Sequence, residues 1–315
     1  MSRPSRREFL GHASLLAAAF CPAALSHAAG PRQPHLDFPT APRDRLSVTS
    51  YPFREFIVSP TNGARDPKKP GMDLKEFPGM IAKKFGVHNI NPLLDHFSST
   101  APAYLDAFRQ AVADAGSHMT DLGLGGRRFW DPDSAQRQAA VDYGKHGIEM
   151  ALAVGSPSVR QHLGGSRGMQ PDVDLAAKSL GKLADYGASQ NVVVLLENDA
   201  AINEDPLTIV KIIEKVDNPY LRALPDLGNS LEGGDADFNQ RGVTGMFQHA
   251  FNMSHVKDEV MGAGGKTYKV DLPALFAVAK DSGYKGYFSM EFEIRLADPY
   301  AGTQRLIDET LKYLA

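Results

Sequence analysis

The chain has 315 residues, 43% of them hydrophobic and 23% charged, with a formal net charge of -3 at pH 7. This is the composition of an ordinary globular protein, long enough for one large domain or two small ones. Without a basic excess, no nucleic-acid-binding surface is expected.

The first predicted element is an address rather than part of the fold. "SRREFL" places Arg6 and Arg7 before the mostly apolar "FLGHASLLAAAFCPAAL", and "SHAAG" supplies small residues for cleavage near Ala28. Residues 1–28 thus resemble a twin-arginine signal peptide. The expected partner is the twin-arginine export machinery, and the expected location is periplasmic or otherwise exported. The apolar run is short for a permanent span of about 20 residues, and Phe20 before Cys21 makes a poor lipoprotein site. No other stretch is long and apolar enough for stable membrane insertion. Cys21 is the only cysteine, so a cleaved chain carries no thiol and forms no disulfide. Residues 29–44, "AGPRQPHLDFPTAPRD", are rich in proline and polar residues and read as a linker or N-terminal arm.

From residue 45 to 315, short apolar runs alternate with longer helical patterns. The strand candidates are 45–50, 87–94, 118–124, 158–163, 192–198, 221–227, 251–257 and 286–293; "VHNINPLL" (87–94) is the most polar of them. Between them, "LAAKSLGKLADYGASQ" places Leu175, Leu180, Leu183 and Ala184 on one helical stripe. "DPLTIVKIIEKV" opens on an Asp–Pro start and aligns Leu207, Val210, Ile213 and Val216. "DLPALFAVAKDSG" places Gly283 just past a last turn. "GLGGRRF" (123–129) and "GGDADF" (233–238) read as loops. Eight strand–helix pairs fit a single (β/α)8 TIM barrel, an α/β fold of about 250 residues. The rival, an open doubly wound sheet, normally shows a glycine-rich phosphate turn after its first strand; "VTSYPFREF" has none.

Barrel enzymes work at the carboxyl ends of their strands. The last four ends carry Glu197 in "VVVLLEN", Asp226 in "ALPDLGN", His255 in "MSHVKD" and Glu291 in "YFSMEFE". Each lies about one β/α unit of roughly 30 residues from the next, so all four are expected to face one another across the barrel mouth. Taken alone, Asp226 reads as a helix cap and His255 as a hydrogen-bonded core residue. Four such residues in register point instead to one divalent metal ion. The oxygen-rich set favours Mn²⁺ or Mg²⁺ and is compatible with Co²⁺, Fe²⁺ or Zn²⁺. Strand phase adds Lys257, two residues beyond His255, and Arg160 and His162, which share a face of strand four. His96 in "LLDHF" is a similar substrate-contact candidate from strand two, and Trp130 is a candidate pocket wall.

With these residues in place, the chain resembles the xylose-isomerase-like TIM-barrel superfamily of sugar phosphate isomerases and epimerases. The words "LLEN", "DLGN", "HVKD" and "SMEFE" carry the likeness, which is specific over the last 125 or so residues. The resemblance implies Glu197, Asp226, His255 and Glu291 as metal ligands, with the two glutamates also exchanging the substrate proton. The implied partner is a small carbohydrate, and dimerisation is common in such barrels. The DNA-repair members need a second His at the position of Asn229 and an Asp-x-His pair after the strand-seven His. Neither is present. Asn229 also replaces a substrate-binding His of ketose 3-epimerases, which leaves three readings. They are a metal-dependent sugar isomerase or epimerase, a lyase that cleaves 3-keto-glycosides by β-elimination, and a non-catalytic exported sugar-binding protein.

Overall fold

A computed structural model describes residues 33–166, 168–199, 204–294 and 297–315. The twin-arginine signal lies outside the described residues. Eleven β-strands and eight α-helices follow in chain order among them. They are β1 (Leu46–Thr49), α1 (Phe77–Phe85), β2 (Asn89–Asn91), α2 (Pro102–Asp114), β3 (His118–Met119), β4 (Leu122–Gly123), α3 (Ser134–Val154), β5 (Ser158–Gln161) and α4 (Val173–Gln190). There follow β6 (Val193–Glu197), α5 (Pro206–Val216), β7 (Leu221–Leu224), α6 (Ala236–Phe247), β8 (Met253–Val256), β9 (Glu259–Met261), β10 (Thr267–Lys269), α7 (Leu272–Asp281), β11 (Tyr287–Met290) and α8 (Pro299–Leu314).

The fold is an α/β TIM barrel whose wall consists of two parallel arcs, β3-β2-β1-β11-β8 and β4-β5-β6-β7. The third predicted strand is split into β3 and β4, so the fifth to eighth barrel strands are β6, β7, β8 and β11. The arcs meet at two seams. Gly123 donates to Pro92 O at one. At the other, Pro225 follows β7 and has no N–H for the ladder. That seam is held by His255 N donating to Pro225 O and Leu227 N donating to His255 O, both at 3.1 Å. Asp226 and His255 are thereby bridged as direct neighbours, so the seam itself assembles half of the four-residue cluster.

The helices form for local reasons. Asp172, Asp205 and Asp298 cap α4, α5 and α8 with side-chain acceptors, satisfying N–H groups that the first turn leaves open. In α4, Leu180, Leu183 and Ala184 are buried as expected, with Ala176 in place of the half-buried Leu175. The stripe of α5 is rotated from the expected one. Pro206, Ile209, Ile212 and Ile213 face the barrel, while Leu207 and Val210 lie toward Gly245 of α6 and Val216 toward Gly181 of α4. A helix with neighbours on both flanks buries more than one stripe, and periodicity alone does not say which faces the sheet. Residues 236–238, expected in a loop, form the first turn of α6 behind its Asp235 cap. The antiparallel pair β9–β10 is an insertion not anticipated from the sequence. At the opposite end of the barrel, Phe38 packs edge-on against Phe251 and Tyr287, with centroids 5.8 and 6.0 Å away. Among the described residues, no helix is long and apolar enough to cross a membrane.

Candidate metal centre and active site

Glu197 ends β6, His255 is the third residue of β8, Glu291 follows β11 and Asp226 follows β7. All four are buried, at 5% exposure or less. One ligand atom from each lies within 4.8 Å of the others. His255 Nδ1 lies 2.5 Å from Glu197 Oε1 and 3.3 Å from Glu291 Oε2. Asp226 Oδ1 accepts from the N–H groups of Gly228 and Asn229 at 2.8 and 2.7 Å, just ahead of the short 3-10 turn Asn229–Gly233. Its Oδ2 is buried and makes no hydrogen bond; the Lys257 ammonium lies 3.1 Å away. One oxygen of Asp226 is therefore taken by backbone N–H groups, and the other is left beside Lys257.

Three carboxylates in so small a volume cannot all ionise without cationic neighbours. Burial pushes Glu197 up, but Arg160 and His255 outweigh it and bring the carboxyl down to about 2. Glu291 is likewise held well below the usual range, against burial, by His255 and Lys257. Asp226 goes the other way: burial lifts it to about 7, against the pull of Lys257. The raised pKa values of His255 and Asp226 both favour protonation of the metal-free cluster, which offsets part of its negative charge. The donor set fits a divalent ion. It offers three hard oxygens and one imidazole nitrogen, a buried carboxylate oxygen without a hydrogen bond, and spacings near those of ligands around one centre.

Metal binding must then displace protons. Burial opposes the charge of His255, but Glu291 and Glu197 outweigh it and set its pKa well above the usual value. Were a divalent ion held here, its affinity would be expected to fall as pH is lowered and to rise with pH until that elevated pKa is passed. Calorimetry at pH 7 in two buffers of different protonation enthalpy is expected to show roughly one to two protons released per ion, one from His255 and part of one from Asp226; identical heats would contradict this.

A cavity of ≈ 210 Å³ opens beside the cluster; Glu197, Glu291, Arg160, His162, Asn229 and Glu293 help line it. Arg160 Nη1 donates to Glu197 Oε2 at 2.8 Å and also contacts His162 Nε2. Gly123 makes room for that guanidinium, since a Cβ there would lie 2.6 Å from Arg160 Nη2. Lys257 is fully buried. It donates to Asn229 Oδ1 at 2.8 Å and Glu293 Oε1 at 2.7 Å, and stands 3.1 Å from Glu291 Oε2. Of the sequence-predicted contacts, Arg160, His162 and Asn229 line the cavity, whereas Lys257 and His96 do not. Asp95 lines the cavity and His96 does not; its buried ring is bonded to Ser50 Oγ at 2.7 Å. Burial, with Arg54 nearby, lowers its pKa to about 3. The 3-10 turn Leu94–His96 rotates the side chains out of strand phase. Trp130 is also buried outside the cavity wall, with its indole donating to Gly164 O at 2.9 Å.

Several participants were not anticipated. Glu204, 1% exposed, lies 2.6 Å from His162 Nδ1 and accepts from Gly164 N. Asn198 joins the β6 and β7 ends, its Oδ1 accepting from Asp226 N at 2.8 Å. Tyr51, from the first β/α connection, lines the cavity. Asn91 of β2 lies 3.0 Å from His255 Nε2. A polar residue inside a short strand was the available signal for Asn91; for Glu204, in a loop, there was none.

The sequence over residues 81–315 matches the family model described as Xylose isomerase-like TIM barrel, and the chain belongs to that family. A comparison with curated proteins gives no match. Among solved structures, the chain is similar to a xylose isomerase-like TIM barrel protein from Mycobacterium smegmatis in complex with magnesium. The TM-score is 0.63 at 17% identity, covering 86% of this chain and 96% of that one. It is similar also to 3-keto-D-glucoside 4-epimerase from E. coli, with TM-score 0.60, 15% identity and coverage of 86% and 98%. D-allulose 3-epimerase from Methylomonas sp. gives TM-score 0.65, 13% identity and coverage of 88% and 100%. At these identities the likeness establishes the fold.

Proposed function

We propose that the protein is a metal-dependent sugar isomerase or epimerase in which Glu197 and Glu291 exchange a proton beside a substrate carbonyl. The observation that carries this reading is a pair of buried glutamates at one wall of a cavity, joined through one imidazole and set among donors that fit a divalent ion. Glu197, Asp226, His255 and Glu291 would hold the ion, which supplies stabilisation of negative charge developing on the substrate oxygen. Glu197 and Glu291 come from β6 and β11, on different arcs of the wall, so one can take a proton that the other returns. Arg160 keeps Glu197 ionised and orients its carboxylate. Lys257 balances the acidic cluster from behind. The names of the similar structures, two of them sugar epimerases, support a carbohydrate substrate.

A second reading keeps the proton abstraction and adds loss of a glycosidic oxygen from a 3-keto-glycoside. It is favoured by the His162–Glu204 pair beside Glu197, because elimination needs a proton donor for the leaving group. Export through the twin-arginine route is proposed from Arg6, Arg7 and the apolar run that follows. The test is NMR of ketoses, aldoses and 3-keto-glycosides with Mn²⁺-loaded protein in D₂O. Metal-dependent deuterium uptake at the carbon next to the carbonyl is expected; absence of exchange in all three classes would refute the function.

A further inference from the structure

Strand β2 reads Asn-Ile-Asn, although the inner wall of a barrel is usually built from branched apolar residues. Asn89 has a backbone task, its Nδ2 donating to Asp44 O and Leu46 O, each at 2.8 Å. Asn91 shares its strand phase, is 1% exposed and meets side chains. Its Nδ2 lies 3.0 Å from His255 Nε2. Its Oδ1 accepts from Ser289 Oγ at 2.5 Å and from Ser47 Oγ at 3.4 Å. Ser47 Oγ is in turn 3.0 Å from Thr120 Oγ1. A chain of hydroxyls and one amide therefore runs through the barrel interior and ends on the imidazole.

We propose that Asn91 is the positioning residue that fixes the ring of His255 for a metal ion, an inference that rests on the metal reading of the four-residue cluster. Nδ1 of His255 faces Glu197 and Glu291, so Nε2 is the nitrogen left to hold the ring. Both as the metal-free imidazolium and with Nδ1 bound to an ion, the ring carries a proton on Nε2 that needs an acceptor. Asn91 has an acceptor on the same amide and supplies it by turning over. Ser47 and Ser289 permit the turn because a hydroxyl donates or accepts equally well. An aliphatic residue at 91 would leave Nε2 unbonded and the ring free to swing Nδ1 away from the carboxylates. Loss of such an outer partner typically weakens metal binding about 10–100-fold.

The experiment is calorimetric titration of Mn²⁺ alone into the metal-free full chain, for wild type, Asn91→Leu, Asn91→Asp and Ser289→Ala, with circular dichroism as a check of folding. Asn91→Leu is expected to bind about 10–100-fold more weakly. Asn91→Asp keeps an acceptor for Nε2–H and is expected to bind at least as tightly as wild type. In the Co²⁺-loaded proteins, the paramagnetically shifted, exchangeable His255 ring proton is expected to exchange faster in Asn91→Leu than in wild type. Equal affinities for wild type and Asn91→Leu would overturn the proposal, as would equal weakening by Leu and Asp, which would mean that an acceptor at position 91 does not hold the ring. Should Asn91→Leu fail to fold, Ser289→Ala decides: a few-fold loss supports the role and unchanged affinity overturns it. A wild-type chain that takes up no Mn²⁺ refutes the metal reading itself, and that is seen before any variant is compared.

Discussion

Replacing Glu291 by Gln is expected to lower turnover about 10²–10⁴-fold, the usual range for a positioned acid–base group, while substrate affinity changes little. Gln keeps the size and an oxygen for the cluster but cannot carry a proton to and from carbon. The carboxyl of Glu291 is held well below the usual range, against burial, by His255 and Lys257, so at neutral pH the amide removes a charge. Because Glu291 is also a proposed ligand, the measurement needs saturating Mn²⁺ and electron paramagnetic resonance to show that the ion is bound. Deuterium exchange then separates the readings. A protein that only binds sugar shows no exchange in either form and keeps its affinity. A wild type that exchanges, with a Glu291→Gln variant that exchanges at the same rate, would remove Glu291 from the proton path.

The largest stability effect is expected at Lys257. Its ammonium is fully buried among Asp226, Glu291 and Glu293, within 3.1 Å of each. Burial acts against its charge, but Asp226, Glu293 and Glu291 outweigh it and raise the pKa well above the ordinary lysine value. With the folded pKa raised, its contribution is complete at pH 7 and is lost only as pH climbs through that elevated value. Lys257→Met keeps the aliphatic stem and deletes the charge, leaving the carboxylates without their nearest cation. Breaking a buried pair in this way costs about 3–5 kcal/mol, measured by urea unfolding of the metal-free proteins. Mn²⁺ is expected to offset part of the deficit, since a divalent ion supplies positive charge to the same carboxylates. A deficit of equal size with and without Mn²⁺ would show that the ion does not neutralise the carboxylates that Lys257 balances.

The four cluster residues were legible because each interrupts or ends an apolar strand, where a polar side chain has no reason to sit unless something holds it. Their spacing by one β/α unit then placed them around one mouth. The direction of Lys257 was legible from strand phase, but its complete burial was not, because that depends on Glu293 folding back over it. Arg160 and His162 were visible as a pair on one face; their contacts with Glu197 and Glu204 arise from cross-strand register and from a loop return that no local pattern encodes. His96 shows the limit of phase arguments: five residues past the end of β2, a 3-10 turn has already changed the direction of the chain. The polar run 87–94 made β2 a weak strand by composition. The structure explains it, since Asn89 and Asn91 turn inward to hydrogen-bond partners rather than to an apolar core.

The central claim is that Glu197, Asp226, His255 and Glu291 together hold one divalent ion. Anomalous scattering at the manganese edge from crystals soaked in MnCl₂ tests it most directly, with Asp226→Asn crystals treated in parallel. A single strong peak among the four side chains in the wild type, weakened or lost in the variant, is the predicted result. A peak elsewhere, or none, would contradict it.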